Sequence, residues 1–525
     1  MSDTENQRTT AVAPRFKRSH LWEPAIVNPL NLKSYTIPIL NLNDPYSRAF
    51  HLSWLGFFVA FLSWFAFPPL IPEAIRSDLS LSNAEVGNSN IIALLSTLVI
   101  RVIVGPLIDR YGPRKVMAAL LVLGAIPSGL AGTAKDANTL YVLRFFIGIL
   151  GATFVPCQAW TSAFFDKNCV GTANALVGGW GNMGGGATFA VMVALFQSLT
   201  VDRGLSSHSA WRAAFAIVPV PILLTTALLT MVFGQDHPAG TWDQRHNIPA
   251  AALAADEFVE SESTSTDKTP EKDSKKDSTD HGMVRVVSVS EKEKEMGSVV
   301  QPPIRSTVDV AVNEHLTLAS TAKILLNPLT WLPAFAYLTT FGIELVIDSK
   351  MADVLYHLFA TKRQGFDQTT AGYYTSIFGF LNLVTRPLGG YLGDVVYRYY
   401  GTRGKKIWTL ACGLIMGASM IGGGFYLQNT RVNGDSELPT LMGVFGVAMI
   451  FSELGNGANF ALVPHCNPYN NGVMSGIVGS FGNLGGIVFA IIFRFQTQAG
   501  QAFWIMGVLC VALNAILLPV RVPKY

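Results

Sequence analysis

Twelve runs of about 20 predominantly apolar residues divide this chain, six before a long polar stretch and six after it. A helix of that length crosses the hydrocarbon core of a bilayer, where only helices and closed barrels satisfy all their backbone hydrogen bonds. The charged share of 14% fits the same class, because soluble domains average about 25%. The sequence therefore predicts an all-α membrane protein with twelve transmembrane helices in two six-helix halves.

The polar stretches set the predicted domain boundaries. Residues 257–298 are rich in Ser, Thr, Asp, Glu and Lys, and such a segment cannot bury enough apolar surface to offset chain entropy. Lys and Arg are concentrated in cytoplasmic loops, and their distribution here predicts that both termini and the central loop are cytoplasmic. The predicted units are an N-terminal tail (1–47), a six-helix bundle (48–233), a largely disordered loop (234–327), a second six-helix bundle (328–520) and a C-terminal tail (521–525).

Composition argues against several classes of protein. A net charge of +3 is too small to indicate nucleic acid as a partner. The five cysteines lack paired spacing, so they are interpreted as small buried apolar residues and not as disulfides or metal ligands. No nucleophile–base set or metal-ligand cluster is apparent, so we expect no enzymatic activity, no cofactor and no metal. The stretch from Gly179 to Gly184 fits G-x-G-x-x-G, but a dinucleotide site also needs a βαβ unit, which the sequence does not predict.

Two glycine-rich stretches, 178–186 and 479–486, are near-copies inside apolar runs of opposite halves. Glycine weakens a helix by about 1 kcal/mol relative to alanine, so such clusters need a compensating role. In lipid, small residues let two helix backbones approach closely. The motifs therefore predict closely packed helices at a moving contact, and each carries one asparagine at the same point, Asn182 or Asn483. The predicted packing glycines are Gly178, Gly181, Gly184, Gly185, Gly482, Gly485 and Gly486.

The second helix of each half also carries an arginine, Arg101 or Arg386. An arginine at the centre of a membrane helix costs at least about 2.5–3.5 kcal/mol, and such residues usually face a cavity or a pathway. Matched six-helix halves indicate a parallel repeat with the substrate site between them near mid-membrane. The alternative is a structural ion pair with a membrane carboxylate, such as Glu344 or Glu453.

The loop Gly105–Lys115 resembles the loop signature of the major facilitator superfamily, and Gly389–Asp394 is a partial repeat of it in the second half. The two Gly–Asn motifs, with an arginine in the second and eighth helices, resemble the nitrate/nitrite porter family. The long charged loop resembles that of fungal high-affinity nitrate transporters. The resemblance implies alternating access, with Asp109 and Asp394 as conformational latches.

The resemblance also implies a substrate site. Arg101 and Arg386 would clamp the anion, since a planar guanidinium fork suits a flat oxyanion such as nitrate. Asn182 would orient the substrate, with Asn483 at the equivalent position, although membrane asparagines also serve as packing amides. Lipid-facing or packing roles remain the alternative for the aromatic residues. The aromatic walls implied by the family are Phe61, Phe154, Tyr337 and Phe341.

The predicted function is high-affinity nitrate import across the plasma membrane by a monomer in the lipid bilayer. Bringing an anion into a cell that is negative inside costs about 2.3 kcal/mol per 100 mV, so accumulation needs roughly two protons per nitrate. Candidate proton carriers are Glu344, Asp348 and Glu453, which the sequence does not separate from structural pairs. Nitrite as a further substrate stays open. The alternatives are a nitrate/nitrite exchanger and a membrane nitrate sensor with little flux.

Overall fold

The computed structural model describes residues 8–9, 14–249, 318–429, 437–467, 471–496 and 498–522. The stretch 257–298, predicted to be disordered, lies outside these residues. Within the described residues, eleven helical stretches are long and apolar enough to cross a membrane. They form two halves, one on each side of the central loop.

One of the eleven stretches, Gln368–Asn429, has 62 residues. A straight helix of that length would be about 93 Å long, three times the hydrocarbon thickness of a bilayer. Gly401 interrupts it with φ 61° and ψ −159°, a left-handed conformation that glycine adopts readily. The stretch is therefore two spans joined by a turn, and the prediction of twelve membrane helices is confirmed.

The twelve spans are numbered in chain order. In the first half they are α1 (Pro45–Asp78), α2 (Asn83–Tyr111), α3 (Pro113–Thr133), α4 (Ala137–Phe164), α5 (Val170–Asp202) and α6 (Ser207–Phe233). In the second half they are α7 (Pro328–Phe359), α8 (368–400), α9 (402–429), α10 (Glu437–Cys466), α11 (Gly472–Phe495) and α12 (Ala499–Leu517). Short 3-10 or π turns interrupt α1 at Pro68–Leu70 and Ile71–Ile75, α4 at Gly148–Thr153, and the end of α5 at Ser198–Asp202.

Local sequence explains where helices begin and end. A capping box starts α2, with the Ser82 hydroxyl accepting from the Glu85 N–H and the Glu85 carboxylate accepting from the Ser82 N–H. Gly112, at φ 86°, ends α2, and Pro113 then occupies the first turn of α3. We call the end of the bundle that carries this turn and the Gly401 turn the signature end. The other end, with the α1–α2 and α7–α8 connections, is the opposite end.

The segment that precedes α1 packs at the signature end. Arg8–Thr9 pairs in parallel with Ile26–Val27, and a 3-10 turn covers Arg18–Leu21. Ser34 then bonds through its backbone to Phe164 (2.9 Å) and to Asp166 (2.9 Å), in the connection between α4 and α5. The described part of the predicted N-terminal tail therefore docks on the first half.

The start of the central loop also packs on the signature end. The 3-10 turn Trp242–Asn247 lies against the end of α2, where the Trp242 indole donates to the Asp109 carbonyl (3.0 Å). Arg114 forms an ion pair with Asp236 (3.1 Å). Burial lowers the pKa of His237 to about 3, so this side chain is neutral at physiological pH. A short helix, Leu318–Leu326, precedes α7 at the other end of the loop.

Candidate substrate-binding site

The two membrane arginines meet at the centre of the molecule. Arg101 projects from α2 and Arg386 from α8, and their exposed fractions are 0% and 1%. The guanidinium carbons lie 5.1 and 5.7 Å from the centroid of the Phe154 ring, and 5.4 and 5.9 Å from that of Phe341. One arginine from each half therefore flanks the same pair of rings.

The partners of Arg101 among the described residues are neutral oxygens. Its Nε donates to the Gly151 carbonyl (2.9 Å) and its Nη1 to the Gly479 carbonyl (2.6 Å). With the amide of Asn483 oriented for hydrogen bonding, Oδ1 accepts from Nε (3.2 Å) and from Nη1 (3.0 Å) of the same guanidinium. Among the described residues, Nη2 has no hydrogen-bond partner, and the guanidinium has no carboxylate within 4.0 Å. Its charge is therefore available to an anion.

Arg386 differs in having a carboxylate nearby. Its Nη2 donates to the Tyr337 hydroxyl (2.9 Å), and its Nη1 lies 3.7 Å from Glu344 Oε2. That separation is too long for a hydrogen bond, and Nη1 has no other partner among the described residues. The sequence left open an ion pair to Glu344 or Glu453, and the structure forms a loose one to Glu344 alone within the described residues.

Glu344 lies at the centre of a buried amide cluster. It accepts from Asn182 of α5, and at 2.6 Å from both Asn382 of α8 and Asn456 of α10. Glu453 is bonded less extensively, accepting from Thr385 and from Asn382 (3.1 Å). Asn182 and Asn483, which occupy the same point of the repeated motif, therefore have different partners. The former bonds a carboxylate and the latter faces an arginine.

Three aromatic rings predicted from the family resemblance lie together. Phe154 of the first half is nearly parallel to Tyr337 (6.0 Å, 15°) and to Phe341 (6.3 Å, 21°) of the second half. The latter two stack on each other at 4.8 Å and 6°. One ring therefore faces two across the interface between the halves, beside both guanidinium groups.

Two further aromatic rings border these three, and neither was among the site residues predicted from the sequence. Phe460 lies edge-on to Phe154 (4.7 Å) and to Tyr337 (5.0 Å), and Phe57 lies 5.4 Å from Phe154. Phe460 is the last residue of the stretch Gly457–Phe460, which repeats Gly151–Phe154 in the first half. The repeat makes Phe460 the equivalent of Phe154, and on that ground the sequence could have predicted its place beside the site. Phe61, the ring predicted in α1, instead packs one turn further along, against Phe57 (4.3 Å).

The first glycine of each motif makes room for the arginine of the other half. A Cβ on Gly178 would lie 3.2 Å from Arg386 Nε, and one on Gly479 would lie 3.3 Å from Arg101 Nη1. The next motif glycines, Gly181 and Gly482, lie against aromatic rings of their own half: Phe57 for the former, Tyr337 and Phe341 for the latter. The two motifs therefore shape equivalent sides of one site.

Gly184 and Gly485, two of the glycines predicted to lie at a moving contact, pack within their own halves in this structure. A Cβ on Gly184 would overlap the Phe58 carbonyl of α1, and one on Gly485 would overlap the Leu338 carbonyl of α7, both within the same half. The reason is that a helix packs on several neighbours at once, and glycine spacing does not say which neighbour each face meets.

Other glycines make the close backbone contacts between the halves, and Gly186 is one of them. A Cβ there would lie 2.6 Å from Gly379 Cα of α8. Gly185 faces Asp348 (3.5 Å from its would-be Cβ), and Gly486 lies between Leu345 of its own half (2.9 Å) and Leu94 of the other (3.3 Å).

The halves also touch at the signature end, where the two loop aspartates lie. Asp394 pairs with Lys405 (2.8 Å) and accepts from the Thr172 hydroxyl (2.9 Å) at the start of α5. Asp109 lies at the equivalent place in the first half, with its carboxyl against Gly472 at the start of α11. Each aspartate therefore contacts the first turn of a motif helix in the opposite half.

The opposite end is closed as well. Arg76 of α1 pairs with Asp353 of α7 (3.2 Å), and Gln368 accepts from the Glu73 N–H (2.7 Å). Arg494 of α11 donates to Asn88 of α2 (2.8 Å). Contacts between the halves therefore lie at both ends of the bundle, and both arginines are buried between them.

Comparison with known proteins agrees with this architecture. Residues 53–490 match the profile of the Major Facilitator Superfamily. This chain belongs to that superfamily. A solved structure of the proton:xylose symporter XylE, bound to 6-bromo-6-deoxy-D-glucose, superposes with a TM-score of 0.59 at 15% identity, covering 90% of this chain and 96% of the symporter. At that identity, the likeness concerns the fold alone.

Relatives that are similar in sequence show to which family of the superfamily the chain belongs. Nitrate transporter 2.2 of Chlamydomonas reinhardtii is 30% identical, covering 94% of this chain and 83% of the relative. High affinity nitrate transporter 2.5 of Arabidopsis thaliana is 29% identical, covering 94% and 83%. The nitrate/nitrite transporter NrtP of Nostoc punctiforme is 26% identical, covering 90% and 91%. The chain is a multi-pass membrane protein of the nitrate/nitrite porter family.

Proposed function

We propose that this chain is a high-affinity nitrate importer of the plasma membrane that works by alternating access and proton symport. The observation that carries the proposal is the pair of opposed, buried guanidinium groups, each with an unfilled donor, beside shared aromatic rings. Nitrate is a flat monoanion with three acceptor oxygens, which suits planar donor forks. The named nitrate transporters among its relatives support the same substrate.

The site residues take distinct roles in this proposal. Arg101 and Arg386 clamp nitrate, while Phe154, Tyr337 and Phe341 exclude water and so strengthen each charge-assisted hydrogen bond. Asn483 orients Arg101, and Asn182 acts through Glu344 and does not contact the anion in the occluded state. Phe61 supports the wall from behind Phe57.

The signature end is the cytoplasmic end in this proposal. Its turns carry the positive charges typical of cytoplasmic loops. The described residues that precede α1, follow α6 and follow α12 lie at the same end. Asp109 and Asp394 latch the cytoplasmic gate by contacting the motif helices of the opposite half. The contacts of Arg76 and Gln368 form the external gate. All residues of the site come from one chain, which supports a monomeric unit.

Proton coupling follows from charge. Nitrate that enters alone moves against the voltage, one accompanying proton cancels its charge, and two protons make import favourable by about 2.3 kcal/mol per 100 mV. A buried carboxylate beside Arg386 supplies a group that can take up a proton within the site. That carboxylate favours symport over nitrate/nitrite exchange, which needs no proton-binding group; the sensor with little flux is distinguished by the measurement below. The matching family and relatives are transporters, which supports the absence of enzymatic activity.

We expect that adding nitrate to a voltage-clamped cell expressing the chain evokes an inward positive current that grows as external pH falls. The reason is that two protons per nitrate carry one net positive charge inward. Currents evoked by nitrate, nitrite and chloride at equal concentration measure selectivity, including whether nitrite is carried.

Cells that express Arg101→Lys at the surface provide the matched control. Lysine keeps the positive charge in the site but lacks the planar pair of donors of the guanidinium group, so the nitrate-evoked current should fall. An outward current would contradict proton symport, since it would mean that the anion moves alone. Electroneutral uptake that requires internal nitrite would identify an exchanger. Normal nitrogen signalling with negligible flux would identify a sensor.

A further inference from the structure

We propose that Glu344 is the group that binds a coupled proton, and that its carboxylate and nitrate compete for Arg386. The inference rests on the proposed function and identifies one of the proton sites that symport requires. In the empty site the ionised Glu344 neutralises Arg386. When nitrate binds Arg386, a proton binds Glu344, and the proton is released again once nitrate has left.

The first argument is the position of the carboxylate. Within the described residues, Glu344 is the one acidic side chain within 4.0 Å of either membrane arginine, and its exposed fraction is 0%. Arg386 Nη1 points toward it at 3.7 Å and has no hydrogen bond. A nitrate oxygen that accepts from Nη1 would therefore lie beside the Glu344 carboxylate.

The second argument is electrostatic. Two anions beside one guanidinium in a water-excluded site repel each other strongly, because the local dielectric constant is far below that of water. Protonating Glu344 removes that repulsion and leaves the full charge of Arg386 for nitrate. Nitrate binding and proton binding are therefore mutually favourable, and by linkage each raises the affinity for the other by the same factor.

The third argument is the set of donors around Glu344. The amides of Asn182, Asn382 and Asn456 all donate to it, which stabilises the ionised form when no nitrate is present. These donors and Arg386 offset part of the cost of burying the charge, so the ionised form is less unfavourable when nitrate is absent than when nitrate is bound. Asn182 donates from the opposite half, so the ionised state of Glu344 also strengthens contact between the halves in the empty, occluded transporter.

The other charged and titratable groups facing Glu344 come from three helices. Asp348 lies one turn away on α7, and Tyr337 lies on the same helix and bonds Arg386. Glu453 of α10 shares the amide of Asn382 with Glu344. Arg386 itself comes from α8. Glu453 has no ion pair within 4.0 Å among the described residues, so protonating it would not free an arginine for the anion.

The test is the pH dependence of nitrate binding to the purified full chain, with sodium nitrate as the probe. In the wild type, the nitrate dissociation constant is expected to rise as pH rises, by up to about tenfold per pH unit for one linked proton. Glu344→Gln carries a permanently neutral side chain of similar shape, so its dissociation constant should stay constant with pH. Glu453→Gln is the matched variant and should keep the wild-type slope.

A second measurement does not depend on any variant. Calorimetric titration of the wild type with nitrate, in buffers of different ionisation enthalpy, should show a proton taken up for each nitrate bound at neutral pH. Absence of proton uptake would overturn the inference, as would a wild-type slope retained in Glu344→Gln or lost only in Glu453→Gln.

These outcomes separate the inference from the proposed function. If the wild type does not bind or transport nitrate, the proposed function fails, and the inference fails with it. If the wild type transports nitrate with a clear pH dependence that Glu344→Gln retains, the inference alone fails, and the proton site lies elsewhere.

Discussion

Arg101→Lys and Arg386→Lys are each expected to raise the apparent KM for nitrate by roughly ten- to hundredfold, with the protein still at the cell surface. Lysine keeps the charge but not the fork, and a hydrogen bond to a charged group contributes about 1.5–3 kcal/mol, where 1.4 kcal/mol is a factor of ten. Arg101 should be the more sensitive of the two. Its Nε and Nη1 also organise the carbonyls of Gly151 and Gly479, which a single ammonium group cannot match.

Uptake of labelled nitrate over a concentration range, with surface protein quantified in parallel, measures this effect. Arg110→Lys is the matched control, because Arg110 is exposed at the signature end and far from the site. Its KM should not change. Near-normal apparent affinity in both site variants would exclude the clamp role of the two arginines.

Two neighbouring glycines of α5 are expected to respond to the same substitution in different ways. Gly184→Leu should destabilise the folded protein by about 1–3 kcal/mol or more, because the added side chain collides with backbone of α1 within one half. Gly186→Leu should leave each half folded but abolish transport. Its side chain would meet Gly379 across the interface and hold the halves apart.

Thermal unfolding and size-exclusion chromatography measure the first effect, and nitrate uptake per folded protein measures the second. Gly485→Leu, the equivalent of Gly184→Leu in the second half, should also destabilise. If Gly186→Leu transports at the wild-type rate, that contact does not tighten during the cycle. If it unfolds as readily as Gly184→Leu, the contact is structural.

The exchange of partners between halves explains why the motif occurs twice. Gly178 of the first half accommodates Arg386 of the second, and Gly479 of the second accommodates Arg101 of the first. Neither half therefore contains a complete copy of the proposed anion site. In the proposed alternating-access mechanism, separation of the halves at one end exposes the arginines to that side of the membrane.

The asymmetry between the halves is as informative as the repeat. Glu344, Asn382 and Asn456 all belong to the second half, and Arg101 of the first half has no carboxylate partner within the described residues. The two arginines are thus equivalent in geometry but different in charge environment. In the proposed mechanism, a proton that binds Glu344 changes the charge environment of Arg386 only, and Arg101 keeps its positive charge without a carboxylate partner.

The sequence by itself determined the twelve-helix architecture, the repeat and the pair of membrane arginines. Apolar length reports directly on a bilayer-spanning helix, and a charge in lipid is too costly to be incidental, so both signals are local. Tertiary structure alone decided which groups meet: that Gly186, unlike Gly184, contacts backbone of the other half, that Phe57 and Phe460 border the ring group, and that Glu344 is the carboxylate beside Arg386. The reason is that a residue's face on its own helix follows from sequence spacing, whereas the neighbour that this face meets depends on how all twelve helices pack together.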